Sequence, residues 1–143
     1  MPAKEYDPKN VSCIVGGTPI GGFTDGTFIM VERNEDMWNL KVGVDGIGTR
    51  AKTNNKSGKI TITLHMSSPS NDYLSGLAIT DENTNAGAVP YLQRDNLGTT
   101  LVTALTCWVK KMANSDNAKE VNNRVWVLET DEVDMFIGGN QVA

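Results

Sequence analysis

Two runs of alternating residues bracket a polar, glycine-rich stretch, and that arrangement limits the fold more than any other feature of the chain. In Lys59–Met66, Ile60, Ile62, Leu64 and Met66 fall on one side of an extended backbone. Lys59, Thr61, Thr63 and His65 fall on the other. In the earlier run, Trp38, Leu40, Val42 and Val44 alternate with Asn39, Lys41, Gly43 and Asp45. A helix would scatter both sets around its axis, whereas a strand gathers each on one face. The two runs therefore predict one long antiparallel hairpin, with Gly46–Gly58 as its tip.

The rest of the chain reads the same way. Val11–Val15 is a short apolar run, Gly16-Gly17 suits a two-residue turn, and Thr18-Pro19-Ile20 returns. Asp25-Gly26 marks a turn before Thr27–Arg33, and Ala88–Arg94, Thr99–Val109, Arg124–Thr130 and Val133–Ile137 supply further strands. One helix is expected after Ser67: Ser68 can cap it, Pro69 suits its first position, and Asp72 favours the positive end of the dipole. Tyr73, Leu74, Leu77 and Ala78 give that helix an apolar stripe for the sheet. Leu105, Cys107 and Val109 alternate with Val102, Ala104 and Trp108, and Val125 and Val127 with Trp126 and Leu128. These strands are apolar on both sides, so one side should meet the core and the other the helix or a neighbouring subunit. The expected architecture is mainly β, an antiparallel sandwich or barrel with one flanking helix and a long protruding hairpin loop. At 143 residues the chain suits a single domain, 1–143.

Short motifs in this frame lose their usual chemistry. Gly46-Ile47-Gly48-Thr49-Arg50-Ala51 has the spacing of a dinucleotide-binding turn. That turn works only where its glycines open onto a helix whose amides meet the pyrophosphate. The polar Lys52–Gly58 and then an alternating strand follow instead, so no βαβ unit forms. The phosphate-loop pattern fails as well, because Gly58-Lys59 runs into Ile60 and the earlier glycine is Thr53. His65 is the one histidine, and Cys13 and Cys107 stand far apart, so no metal site is expected. Both cysteines read as buried thiols in a reducing compartment. No nucleophile motif stands out, and neither a catalytic residue nor a cofactor is expected. The start of the chain, Met1–Asp7, lacks the apolar core of a leader, and no apolar run reaches membrane-spanning length, so the cytoplasm of the producing cell is expected.

Charge is more informative. The chain carries a formal −4, which argues against tight binding of nucleic acid. Arg50, Lys52, Lys56 and Lys59 make a basic stretch free of acids, while Glu129, Asp131, Glu132 and Asp134 make an acidic one free of bases. Copies of such a chain can associate head to tail, closing into rings or propagating as stacks; equally, both segments can be solvated loops.

Four stretches taken together, VGGTPIGGFTDGTFIMVERNED, DGIGTRAKTNNKSGKITITL, SSPSND and ETDEVDMFIGGN, resemble the tail tube proteins of contractile-tailed phages. The similarity runs from about Tyr6 to Asn140. It implies a fold shared with type VI secretion tube subunits, in which six subunits form a ring, their strands continue into one barrel around a channel, and rings stack. It also implies a hairpin loop that reaches the adjacent ring. By position that loop is Asp45–Gly58, with Asp45, Gly46, Gly48, Arg50, Lys52, Asn54, Asn55, Lys56 and Gly58 as its residues. Glu129, Asp131, Glu132 and Asp134 would be its acidic partners. Trp108, Trp126 and Phe136 would anchor the core or a subunit interface. Asn39, Lys41, Thr61 and Thr63 would be candidates for the channel wall. The implied partners are further copies of the chain and sheath, tape-measure and baseplate proteins, with DNA passing through the lumen, no membrane insertion, and residence in the virion tail. Two other readings stand beside it: a tube-terminating or baseplate hub protein of the same fold, and a monomeric ligand-binding β-barrel.

Overall fold

The computed structural model describes Ala3 and residues 6–139. Part of the N-terminal leader reading, on Met1, Pro2, Lys4 and Glu5, and Asn140 of the last resembling stretch lie outside the described residues. Ten strands and one α-helix follow a short 3-10 turn at Pro8–Asn10. The strands are β1 (Val11–Val15), β2 (Thr18–Pro19), β3 (Ile29–Arg33), β4 (Trp38–Val42), β5 (Gly48–Lys52), β6 (Gly58–His65), β7 (Val89–Asp95), β8 (Leu101–Lys111), β9 (Asn123–Thr130) and β10 (Asp134–Phe136). The helix, α1, spans Ser70–Thr84.

Eight strands make one antiparallel sheet in the order β2-β1-β7-β8-β9-β6-β3, with β10 added to β8. The sheet curls around its core as an open sandwich and does not close into a barrel. β9 and β10 lie along the same edge of β8 in one register, Cys107 opposite Thr130 and Thr103 opposite Asp134. Between them Asp131–Val133 leaves the ladder, and the Thr130 hydroxyl stitches the break by donating to the Thr106 carbonyl at 2.7 Å.

The alternation of β6 holds throughout: Ile60, Ile62 and Leu64 are buried, together with Trp126 and Leu128 of β9, Val102, Ala104 and Cys107 of β8, and Cys13, Val15 and Tyr91. Leu74 of α1 is fully buried over this core, and Tyr73 fastens the helix to β1 by donating from its hydroxyl to the Val15 carbonyl at 2.8 Å. Pro69 precedes the helix rather than opening it, and Ser68 accepts from the Ser70 amide at 3.2 Å while donating to the Gly21 carbonyl.

One expectation needs correction, and one pair of alternatives is narrowed. The face assignment in β8 changes because a bulge falls between Ala104 and Cys107, opposite Tyr91 and Val89. The extra residue shifts parity, so Cys107 joins Val102 and Ala104 in the core. Leu105 then points outward, and Trp108 is half-buried. The second faces of β8 and β9 are also uncovered by the helix: Leu101, Leu105 and Val125 are exposed. In the single chain only one face of the sheet is in the core.

Candidate functional site

The stretch between β3 and β6 builds the most prominent surface feature. β3 pairs with β6 from Ile29 opposite Ile62 to Arg33 opposite Gly58. Beyond this base the chain does not open into a loop. β4 and β5 pair with each other, Trp38 opposite Lys52 and Val42 opposite Gly48, as a two-stranded ribbon separate from the sheet. The expected hairpin of Trp38–Val44 with Lys59–Met66 around a tip at Gly46–Gly58 is therefore corrected: β6 takes β3 as its partner, β4 takes β5, the tip is Gly43–Ile47, and Gly48–Lys52 is a strand. The turn forms there because Asp45-Gly46 permits it. Gly46 sits at φ +85°, and its amide donates to the Gly43 carbonyl at 2.9 Å. The Asp45 carboxylate accepts from the Ile47 amide at 3.2 Å.

A bulge joins ribbon to sheet. The Asn34 amide donates to the Ser57 carbonyl at 3.0 Å and the Thr53 amide to the Met37 carbonyl at 2.9 Å. Glu35 and Asp36 on the outgoing side thus oppose Asn54, Asn55 and Lys56 on the return, which bends the hairpin and changes which side chains share a face. The paired strand Trp38–Val42 extends about 16 Å at roughly 3.3 Å per residue.

The ribbon root is locked to the excursion between β9 and β10. The Val133 amide donates to the Lys56 carbonyl at 3.0 Å, and Arg33 donates from Nη2 to the Val133 carbonyl at 2.9 Å. Val133 itself is fully buried, and a Cβ on Gly58 would lie 2.7 Å from its Cγ1, so only glycine admits this approach. Lys56 Nζ meets Asp134 at 3.0 Å and Glu132 at 3.5 Å. The hydrogen bond that Lys56 donates to Asp134, and then the charge of Asp134, hold the lysine ammonium above its ordinary value.

The basic and acidic segments identified in the sequence thus meet inside one chain. Lys56 takes Glu132 and Asp134, and Lys110 lies 3.8 Å from Glu129. Asp131 has no ion pair among the described residues. Arg50 stacks over Trp38, its guanidinium carbon 3.9 Å from the ring centroid, and Lys52 has no ion pair among the described residues. By register, Trp38, Leu40 and Val42 share a ribbon face with Arg50 and Lys52, while Asn39, Lys41, Thr49 and Ala51 share the other. Every residue of β4 and β5 is exposed, and Leu40 is 72% exposed. An isolated two-stranded ribbon with an apolar face is marginal in water.

The remaining expected residues fall in different places. Trp126 is buried in the core and donates from Nε1 to the Asn71 side chain at 2.9 Å. Trp108 is half-buried on the open sheet face, and Phe136 is 63% exposed on β10. Thr61 and Thr63 lie on the open face of β6, whereas Asn39 and Lys41 lie on the ribbon, so the four do not form one surface. Sequence reasoning placed Leu105 opposite Val102 and Ala104, where it lies open, but missed Leu101 on the same face; alternation with Val102 is the signal that finds it. On the open sheet face Lys59 pairs with Glu32 at 3.0 Å and stands opposite Glu129. β3 pairs on one side only among the described residues. No group of three His, Cys, Asp or Glu able to hold a metal occurs among the described residues, and no described helix is long and apolar enough to cross a membrane.

The same fold occurs in chains of contractile injection machines. The chain superimposes with a TM-score of 0.64 on the anti-feeding prophage tube-terminating cap, at 10% identity over 95% of both chains. It also superimposes at 0.64 on the PVC sheath/tube terminator of an extracellular contractile injection system, at 14% identity over 94% of this chain and 100% of the other. A chain of the PVC sheath-tube complex gives 0.60, at 12% identity over 92% and 91%. Residues 11–138 match the bacteriophage PhiTE tail tube protein family, and the chain belongs to that family. It is 27% identical to structural protein ORF10 of Pseudomonas phage KPP10, over 95% of this chain and 83% of that protein.

Proposed function

We propose that the protein is the subunit of a phage tail tube, a non-enzymatic virion component whose whole chain acts as one tube-forming domain. Made in the host cytoplasm, it forms hexameric rings that stack within a sheath around a tape-measure protein. The finished lumen conducts DNA during ejection. The observation that carries this reading is the ribbon: a two-stranded projection separate from the sheet, with an apolar, cationic face and no cover in the single chain. Arg50 and Lys52 lie on that face, which would meet the next ring.

Two further features fit. The unpaired edge of β3 would be closed by a neighbouring subunit in the ring, removing an aggregation hazard. The open face of β6 and β9 balances its charges, Glu32 with Lys59 and Glu129 with Lys110. A wall of threonine, valine and paired charges would let a polyanion slide past without counterion release holding it. Thr61 and Thr63 belong to this proposed wall.

The likeness to two tube terminators favours a second reading, a protein that caps the tube. Negative-stain microscopy of the purified chain separates the two. Long tubes of uniform bore are expected; isolated rings at every concentration would identify a terminator, and a persistent monomer would reject both.

A further inference from the structure

Two apolar surfaces of this chain lie open, and they carry opposite charge. One is the ribbon face of Trp38, Leu40 and Val42, flanked by Arg50 and Lys52. The other forms where β10 meets the start of β8. Phe136 stands opposite Leu101 and Asp134 opposite Thr103, and alternation puts Leu105 on the same side, because Val102 and Ala104 turn into the core. Leu105 is 89% exposed and Phe136 63%. Asp131, Glu132 and Asp134 border this surface, and Lys56 is the cation that opposes them.

We propose that the β8–β10 surface receives the ribbon of a second copy, with Trp38 and Leu40 seated on Leu105 and Phe136 and with Arg50 and Lys52 turned toward Asp131. This rests on the tube reading and names the surface that reading leaves open. The ribbon face carries an apolar residue at every second position of β4, and the receiving face sets Leu101 and Leu105 along β8 with Phe136 beside them, so one can lie along the other. Within one chain the ribbon does not cover its own receiving surface, since Leu40 remains 72% and Leu105 89% exposed. Lys56, at the root of the ribbon, already holds Asp134 beside that surface, so each copy offers a receiving site at its own root and a docking face farther out. The contact joins two different patches of identical chains, and such heterologous contacts propagate in one direction.

Cross-linking of the full chain tests this. Leu40→Cys and Leu105→Cys are made separately and combined, and Ile79→Cys on α1 serves as the control; the buried Cys13 and Cys107 stay in place. Under mild oxidation the Leu40→Cys and Leu105→Cys mixture should give a cross-linked dimer on the order of a hundredfold above the Leu40→Cys and Ile79→Cys mixture, because docking raises thiol concentration from about ten micromolar to about one millimolar. The double variant should give a ladder. Tubes without this cross-link would overturn the receiving surface while leaving the tube reading intact. A compact internally linked monomer would overturn the second copy as occupant. Absence of any assembly, in the parent chain too, would overturn both. Leu105→Glu should fold and lose assembly where Ile79→Glu keeps it; normal assembly by Leu105→Glu also refutes the proposal.

Discussion

Truncating Leu40 to alanine should separate assembly from folding. Within the chain the leucine does little: its Cδ1 lies 3.2 Å from where a Gly48 Cβ would stand, and 72% of the residue faces solvent. Folding stability should therefore move by no more than about 0.5 kcal/mol. At an inter-ring contact the same side chain would be covered. Leu40→Ala removes about three carbon groups at roughly 0.8 kcal/mol each; scaled by the exposed share, the loss is at most about 1.7 kcal/mol per contact. One contact of that size raises a dissociation constant about 18-fold. In the proposed ring of six such contacts would add together, so the loss per added ring would approach roughly 10 kcal/mol, and elongation should stop at any practical concentration. The assay is the critical concentration for tube formation by sedimentation or light scattering, with a urea melt of the unassembled chain beside it. An unchanged critical concentration with an unchanged melt would refute the assignment of the ribbon face as an assembly surface.

Other outcomes follow from the same geometry. Arg50→Glu combined with Lys52→Glu should leave the subunit folded and block stacking, and tubes of normal length would remove those residues from the interface. Gly58→Ala places a Cβ 2.7 Å from Val133 Cγ1 and 2.9 Å from the Glu32 carbonyl oxygen. Backbone cannot move aside cheaply, so overpacking should cost about 1–3 kcal/mol in a urea titration; a melt matching the parent would contradict the ribbon-root lock. Burial pushes the Cys13 thiol up to about 11 and the Cys107 thiol up to about 12, and it raises the Tyr91 hydroxyl further. Folding thus favours the protonated thiols: the urea midpoint should be insensitive to these groups below pH 9, the ordinary thiol value, and should fall as pH rises above it. A midpoint that rises between pH 9 and 11 would contradict that burial, as would rapid maleimide labelling of the native protein.

Much of the fold was legible because burial acts through alternation. Ile60, Ile62 and Leu64 repeat at the period of a strand, and all three are buried. The stripe on α1 was legible for the same reason, through Leu74. Two features were hidden, and one kind of irregularity accounts for both. A bulge at Asn54–Lys56 divides the hairpin into base and ribbon, and a bulge near Leu105 reverses parity in β8. Bulges are fixed by tertiary pairing rather than by composition, so counting residues along one strand does not locate them. The basic and acidic segments were visible as charge runs, yet Lys56 with Glu132 and Asp134 meet within the chain. Sequence separation carries no information about which copy supplies the partner.

That intrachain pairing changes how charge serves assembly. Exposed ion pairs are individually weak and screened by salt, and Lys56, Glu132 and Asp134 already have one another. Moving them to a neighbouring copy would exchange one exposed pair for another, with little gain. Their position at the ribbon root, beside the backbone bonds from Val133 and Arg33, suits them instead to fixing the direction in which the ribbon leaves the sheet. Arg50, Lys52 and Asp131 remain for the partner, and they flank apolar residues whose burial supplies the larger energy. Association should then show a modest dependence on ionic strength and a steep dependence on the size of the side chain at Leu40 or Leu105. Charge would set the register of the contact, and apolar burial would set its strength.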